Sequence, residues 1–247
     1  MKLHILAIGA HPDDVELGAA GTLIKHIRKG QQVGILDLTQ GELGSRGTVA
    51  SRYAEAAAAA EIMGLAVREN LKLRDGFFEN NEDSRLALIR VIRKYRPDIV
   101  IGNAPEDRHP DHGRAFKLIA DACFLSGLSK IGTRDEQGNA QEAWRPKKVL
   151  HYIQDRFLEP NVIIDISDTL DIKMKAIECY GTQFFSAQDD RDKEPATYIS
   201  RPGFLESIAA KARVLGHRIG AEYAEGFILQ GDYGLNDLDD IYLPVLS

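Results

Sequence analysis

The sequence predicts an α/β protein with a Rossmann-like, three-layer α/β/α arrangement around a mostly parallel sheet. Apolar runs of strand length alternate with segments of helical periodicity along most of the chain. This alternation generates right-handed βαβ units. The chain has 247 residues and a hydrophobic content of 44%, enough for one sizeable core, so we expect a single domain over residues 1–247.

The strands and helices can be placed from their apolar patterns and their terminators. Gly30 and Gly64 close the first two helices, and Pro97 follows the third. We expect strands at 3–8, 33–38, 70–73, 99–102, 149–153 and 162–166, with a last short strand from 226. We expect helices at 22–29, 51–63, 82–95, 111–125, 170–180 and 203–215, and a polar excursion at 127–145.

Composition limits the class of partner and the compartment. The net charge is −6 and no segment is strongly basic, whereas binding to nucleic-acid phosphates normally needs clustered Lys and Arg. The apolar run near the N-terminus is too short for a signal peptide or a membrane span. Cys123 and Cys179 lie far apart, outside any C-x-x-C arrangement. We therefore expect a cytoplasmic protein with a small-molecule substrate and neither a nucleic acid nor a membrane as partner.

Two clusters of metal-ligand side chains follow predicted strands. The first, Gly9 to Asp14, contains one histidine and two aspartates directly after the first strand. The second, Arg108 to Gly113, contains two histidines and one aspartate shortly after the strand at 99–102. Open α/β sheets bind ligands at the carboxyl ends of their strands. We therefore expect the two clusters to form one shared site.

His11, Asp14 and His112 are the candidate metal ligands. His11 and Asp14 are three residues apart at a strand-to-helix turn that Pro12 stiffens, so both side chains can point to one side. A catalytic zinc typically takes three protein ligands and keeps one position for water, and His112 is the best third candidate. Two histidines and one aspartate suit one Zn²⁺ per chain, with Fe²⁺ as the main competitor, because this ligand set does not separate the two metals.

The paired motifs resemble those of the PIG-L/LmbE family of zinc-dependent N-acetylglucosamine deacetylases. The resemblance is carried by Ala10 to Asp14 and His109 to His112, in this order, and it extends over essentially the whole chain. Leu36 to Gly44, Arg46 to Thr48 and Ala224 to Phe227 are similar to family members that act on N-acetyl-glucosaminyl-malate in bacillithiol biosynthesis. The resemblance implies a deacetylase that releases acetate and a free amine, and a homo-oligomer, either a trimer or a hexamer.

The resemblance also implies a role for each motif residue. The three candidate ligands would hold zinc, and Asp13 would be the general base. His109 would act on the tetrahedral intermediate, oriented by Asp111, and Arg52 would lie near the substrate. The chemistry of amide hydrolysis supports the same division, since it needs an activated water, a polarised carbonyl and a proton for the leaving amine. Other roles stay open: Asp13 could instead orient a ligand, and His109 could be a further ligand or purely structural.

Arg46, Arg52 and Arg108 are candidate anchors for an acidic group of the substrate, because a guanidinium binds a carboxylate through two hydrogen bonds. Each could equally be a solvated surface residue. The predicted position of Arg52 at a helix start is unfavourable to the helix dipole, which favours a functional role. Some family members place a tyrosine near the oxyanion, and Tyr198 is its nearest candidate here.

Two other classes of function compete with an enzyme. A Rossmann-like nucleotide-binding module would explain the small residues from Gly18 to Gly21, but no G-x-G-x-x-G follows the first strand. Asp13 and Asp14 would also repel a pyrophosphate. A non-catalytic metal-binding protein would leave Asp13, His109 and Asp111 without a use. Within the enzyme class, the alternative is a deacetylase of another N-acetylglucosamine conjugate or oligosaccharide.

Overall fold

The computed structural model describes residues 1–184, 195–232 and 234–241, which form one sheet with helices on both faces. The strands are β1 (Ile5–Gly9), β2 (Val33–Thr39), β3 (Val67–Leu73), β4 (Ile99–Asn103), β5 (Lys148–Tyr152), β6 (Val162–Asp165) and β7 (Ala224–Leu229). The helices are α1 (Asp14–Arg28), α2 (Val49–Met63), α3 (Glu82–Tyr95), α4 (Pro110–Leu125), α5 (Leu170–Glu178) and α6 (Phe204–Ile219). A 3₁₀ helix follows at Leu238–Asp240.

The strand order is β3-β2-β1-β4-β5-β7-β6. The pairs from β3 to β5 are parallel, and β7 runs antiparallel to both of its neighbours. The order reverses at β1, which pairs with β2 on one side and β4 on the other. The carboxyl ends of strands at such a switch point are where open α/β sheets bind ligands. The predicted mostly parallel, three-layer fold is confirmed.

Side chains of β1 divide between two hydrophobic cores, one on each face of the sheet. Ile5 and Ala7 pack with α1, α2 and α5 on one face. Leu6 and Ile8 pack with α3 and α4 on the other. Successive strand residues point to opposite faces, and a parallel strand covered on both faces is apolar throughout. This packing holds the residues that follow β1 in a fixed place.

The first helix begins earlier than the sequence predicts, at Asp14 instead of residue 22. The glycines in these first turns are required by packing: a Cβ at Gly18 would lie 2.2 Å from the ring of Tyr152. The other predicted ends differ from those observed by no more than four residues. Among the described residues, no helix has the length and apolar character that crossing a membrane requires.

Candidate active site

The two motifs lie at the carboxyl ends of β1 and β4, and each runs from the connecting loop into the helix that follows. The first loop joins β1 to α1, and the second joins β4 to α4, for which His109 is the N-cap. Because β1 and β4 are adjacent parallel strands, the loops meet. The ring centroids of His11 and His109 are 4.6 Å apart, and those of His11 and His112 are 5.7 Å apart.

Asp14 contacts both candidate histidine ligands, each through a different oxygen. Its Oδ1 lies 3.2 Å from Nε2 of His112, and its Oδ2 lies 3.6 Å from Nδ1 of His11. The predicted set is therefore in contact but is not gathered around one point. In the described part of the chain, two trios have ligand atoms within 4.8 Å of one another: His11 with His109 and His112, and His11 with Asp75 and Asp111.

The surroundings of His112 are those of a metal-binding histidine. Its Nδ1 lies 2.7 Å from Oδ2 of Asp107, while its Nε2 faces Asp14. The backbone N–H groups of Arg108 and Arg156 each donate to Oδ1 of Asp107 at 2.8 Å. An outer carboxylate of this kind fixes the tautomer and direction of a ligand ring. Imidazole and carboxylate together are a donor set that fits a divalent transition metal.

Three donors orient the carboxylate of Asp14. The backbone N–H of His11 and the side-chain amide of Asn103 donate to Oδ2 at 3.0 and 3.2 Å, and Nε2 of Gln154 donates to Oδ1 at 2.8 Å. Burial opposes ionisation, but the neighbouring histidines hold the pKa of Asp14 well below its usual range. Asn103 and Gln154 lie outside both motifs. The sequence signal for Asn103 was its position as a polar residue ending an apolar strand.

Asp13 has a strained backbone at the start of α1. Its φ is 116°, a value that residues other than glycine rarely adopt and that is typical of functional sites. The side chain is buried, and Nη1 of Arg52 donates to its Oδ2 at 3.1 Å. Burial raises the pKa of Asp13 to about 7 against the opposing charge of Arg52. A carboxyl group with a pKa near neutrality is well suited to exchange protons with a substrate.

Arg52 is buried against Asp13 instead of being open to an acidic substrate. Besides Asp13, its Nη1 donates to the carbonyl of Pro12 at 2.6 Å, and its Nη2 donates to Oε1 of Gln183 at 2.6 Å. Its Nε is buried without a hydrogen-bond partner. Nη1 thus uses both of its N–H groups within the protein, and Nη2 uses one. These contacts favour an indirect role for Arg52, in which it positions the Asp13 carboxylate.

The other two predicted arginines lie in different surroundings. Nε of Arg46 donates to the carbonyl of Thr182 at 3.0 Å. Nε of Arg108 donates to Oδ2 of Asp155 at 3.0 Å, and the Arg108 guanidinium lies 4.5 Å from the ring centroid of Tyr198. The side chain of Arg108 is 45% exposed. Arg108 therefore offers an accessible cation beside the second motif.

His109 is held by the backbone of Asp111, not by its carboxylate. Nδ1 of His109 accepts a hydrogen bond from the Asp111 N–H at 3.3 Å. The Asp111 carboxylate instead lies 3.4 Å from Nε2 of His11, accepts from Gly76 N–H at 2.8 Å and pairs with Arg114. Burial and the two neighbouring histidines lower the pKa of His109. The lowered pKa favours the neutral imidazole form of His109.

Sequence reasoning missed Asp75, which follows β3. Its Oδ1 lies 3.0 Å from Nε2 of His11, and its Oδ2 accepts from the N–H of Leu43 at 3.0 Å. Burial opposes ionisation, but the hydrogen bond and charge of His11 lower the pKa of Asp75 to about 2. The available signal was a carboxylate two residues beyond a predicted strand, at the same edge of the sheet as both motifs.

Comparison with known proteins identifies relatives of both fold and sequence. Residues 6–123, which include both motifs, match the family described as PIG-L, GlcNAc-PI de-N-acetylase. The chain is 30% identical to the diacetylchitobiose deacetylase of Thermococcus kodakarensis, over 90% of this chain and 81% of that protein. It is 28% identical to the probable N-acetyl-alpha-D-glucosaminyl L-malate deacetylase 2 of Bacillus subtilis, over 74% and 84%. The crystal structure of a conserved protein from Thermus thermophilus matches with a TM-score of 0.83 and 33% identity, over 94% and 97%.

Proposed function

We infer that this chain, which belongs to the PIG-L family, is a metal-dependent deacetylase that hydrolyses the N-acetyl group of an N-acetylglucosamine conjugate and releases acetate and a free amine. The observation that carries the proposal is the meeting of His11, Asp14 and His112 beside the buried Asp13 at the switch point of the sheet. Relatives that carry the names of sugar deacetylases support the same reaction. The membership of all seven strands in one sheet supports a single catalytic domain.

We propose that His11, Asp14 and His112 hold one Zn²⁺ per chain, with Fe²⁺ as the main competitor. When bound, such an ion polarises a carbonyl and lowers the pKa of water. Burial opposes protonation of His112, but Asp14 and Asp107 raise its pKa to about 9. Metal binding requires neutral imidazole, so uptake of the ion would release protons from the site. The Asp107 contact keeps Nε2 of His112 directed towards Asp14 in either case.

Asp13 is the residue that we assign to proton transfer. Arg52 binds its Oδ2, so Oδ1 is the oxygen that would take the proton from the attacking water. The same carboxyl group would then deliver the proton to the leaving amine, as general acid–base catalysis requires. His109, neutral and fixed by its N-cap hydrogen bond, would donate from Nε2 to the oxygen on which negative charge develops.

N-acetyl-glucosaminyl-malate is the substrate that we propose. The similarity of residues 36–48 to enzymes of bacillithiol biosynthesis supports it, as does the name of the Bacillus subtilis relative. In the structure, Arg108 is the accessible arginine of the three predicted anchors and would bind the malate carboxylate. The Thermococcus relative makes a neutral N-acetylglucosamine disaccharide the alternative.

Acetate release from a substrate panel tests this proposal. The zinc-loaded protein is assayed with N-acetyl-glucosaminyl-malate, diacetylchitobiose and free N-acetylglucosamine. We expect the malate conjugate to have the highest kcat/KM, and Arg108→Ala to reduce that advantage by about tenfold, the lower end for an arginine–carboxylate contact. Arg213→Ala, a change of an exposed arginine on α6, is the matched control. A higher value for diacetylchitobiose rejects the malate substrate, and no acetate from any compound rejects the deacetylase.

A further inference from the structure

A small cavity lies beside the site, between α1, α6 and the residues that follow β5. His112 and Gln154 form the part of its wall that it shares with the site. Its volume is about 50 Å³, and it opens to the surface near the exposed Ser207. The large apolar side chains of the remaining wall are Leu17, Ile153, Ile199, Phe204, Ile208 and Leu215, and the charged ones are Arg108, Asp155, Lys173, Lys211 and Glu225.

The charged groups in the cavity wall are engaged with one another or with the backbone. Nζ of Lys173 lies 2.7 Å from Oε1 of Glu225 and donates to the carbonyl of Leu17 at 2.9 Å. Nζ of Lys211 donates to the carbonyls of Gln154 and Asp155. These contacts satisfy the ammonium groups within the protein. Arg108 and Asp155 also line the wall, where Nε of Arg108 donates to Oδ2 of Asp155 at 3.0 Å. The apolar side chains of the wall therefore suit an apolar occupant.

Gln154 connects the cavity to the candidate metal ligands. Its Nε2 donates to Oδ1 of Asp14 at 2.8 Å, and its Oε1 is buried without a hydrogen-bond partner. A buried acceptor without a partner is unfavourable, so this oxygen is prepared for a donor from a ligand. A group that approaches Asp14 thus meets one hydrogen-bond acceptor and then an apolar wall. The amide of an acylated amine matches that order, because it offers an N–H donor and carries a short alkyl chain beyond its carbonyl.

We propose that the cavity binds the acyl chain of the substrate and that the enzyme hydrolyses N-propionyl and N-butyryl groups as well as N-acetyl groups. This inference rests on the proposed deacetylase function. The acyl chain is the natural occupant because it is bonded directly to the carbonyl that must lie at His112 and Asp14. A sugar ring, in contrast, would leave its hydroxyl groups facing apolar side chains, which is costly.

The size of the cavity sets a limit on chain length. An apolar cavity of about 150 Å³ holds benzene, with its six carbons. On that scale, the space of about 50 Å³ holds roughly two carbons. With the acetyl methyl at its mouth, the cavity therefore has the volume for the two further carbons of a butyryl chain but not for the four further carbons of a hexanoyl chain.

The test compares acetyl, propionyl, butyryl and hexanoyl amides of the glucosamine conjugate that is turned over best. We expect kcat/KM to rise by up to about fourfold for each of the first two added methylenes, and to fall below the acetyl value for hexanoyl. A butyryl value below the acetyl value overturns the inference but leaves the deacetylase standing. Hydrolysis of none of the amides overturns both. A hexanoyl value above the butyryl value overturns the limit that this volume sets on chain length.

A variant with a larger side chain in the cavity wall tests whether the acyl chain binds there. Ala212 is buried on α6 in the cavity wall, so Ala212→Val adds two carbons to that space. We expect the butyryl-to-acetyl ratio of kcat/KM to fall by about tenfold, the two methylene contributions combined. Ala210→Val, the same change at an exposed position of α6, should leave the ratio unchanged.

If circular dichroism shows that Ala212→Val is misfolded, a second variant makes the same test. Ser207→Leu, at an exposed position of the same wall, then replaces it, with the same expected direction. An unchanged ratio in the folded variant overturns the acyl assignment. A loss that depends on the sugar aglycone and not on the acyl chain also overturns it and assigns the cavity to the aglycone.

Discussion

Two buried clusters of charged side chains lie near β1 and contain similar groups, but we assign them different roles. The site cluster comprises His11, Asp14, Asp75, Asp107 and His112. The Arg68 cluster comprises Arg68, Asp37, Glu16 and Tyr180. In the Arg68 cluster, Nε and Nη2 of Arg68 bind the two oxygens of Asp37 at 2.8 and 2.9 Å, and Nη1 binds Glu16 at 2.5 Å.

The two clusters differ in whether the positively charged side chain can lose its proton and bind a metal ion instead. A guanidinium stays protonated in proteins and binds carboxylates in a fixed fork, so Arg68 keeps its proton and remains the cation of its cluster. The hydroxyl of Tyr180 donates to Glu16 at 2.9 Å and joins α5 to that cluster. Imidazoles release their protons at accessible pH and then bind metals. In these two clusters, the carboxylates beside Arg68 support the fold, whereas those beside His11 and His112 can support chemistry.

The largest expected effect is the loss of the metal from the site cluster. His112→Ala removes one proposed ligand, and we expect metal content to fall from one ion per chain to near zero, with activity at the level of metal-free protein. His217→Ala, on an exposed turn of α6, is the control and should keep the metal. Elemental analysis of both variants makes the measurement. Unchanged zinc in His112→Ala would remove His112 from the ligand set.

Asp13→Asn should separate catalysis from metal binding. The amide cannot accept the proton of water, so we expect kcat to fall by roughly 10² to 10⁴, the usual contribution of a general base, with metal content unchanged. Asp14→Asn should instead lose the metal. Paired kinetics and metal analysis check the assignment. Near-normal turnover in Asp13→Asn would show that the two adjacent aspartates have been assigned wrongly.

Arg68→Ala should act on the fold and not on the metal. It leaves two buried carboxylates without their partner, which costs about 3–5 kcal/mol in the free energy of unfolding. Urea denaturation measures this loss. Arg213→Ala breaks an exposed pair with Glu222 and should cost about 0–1 kcal/mol. Equal stability of the two variants would contradict the distinction between the clusters.

Gln154→Leu should have the smallest effect of the series. The variant removes a donor to Asp14 but no ligand, so we expect metal affinity to fall by about 10- to 100-fold, as is typical for loss of an outer contact. Competition with a chelator measures this affinity directly. A metal affinity equal to that of the wild type would show that the Gln154 contact does not hold Asp14 in place.

Local pattern was enough to predict most of the fold and both motifs, because buried parallel strands are apolar and their loops carry the ligands. It failed at the start of α1, which it placed at residue 22, because the contacts of Gly18 with Tyr152 and of Gly21 with Ile166 are needed to recognise the first turns of this helix. Such contacts join distant segments and leave no local pattern.

The same limit explains what the sequence does not show at the site. The sequence places Arg52 and Asp111 near the motifs, but does not show that Arg52 faces Asp13 or that the Asp111 carboxylate faces His11. Asp75, Asp107 and Gln154 escaped notice because each acts through a residue far along the chain or outside a recognisable motif. Side-chain direction depends on packing, which the spacing of residues does not reveal.

The most direct test of the central claim is a zinc titration of chelated protein, with acetate release and bound metal measured together. The account predicts that chelation abolishes hydrolysis of N-acetyl-glucosaminyl-malate, and that activity returns in proportion to added Zn²⁺ up to one equivalent per chain. In Asp13→Asn, zinc should bind to the same extent without restoring activity. Full activity of the metal-free protein, or a requirement for two equivalents, would contradict a single-metal site formed by His11, Asp14 and His112.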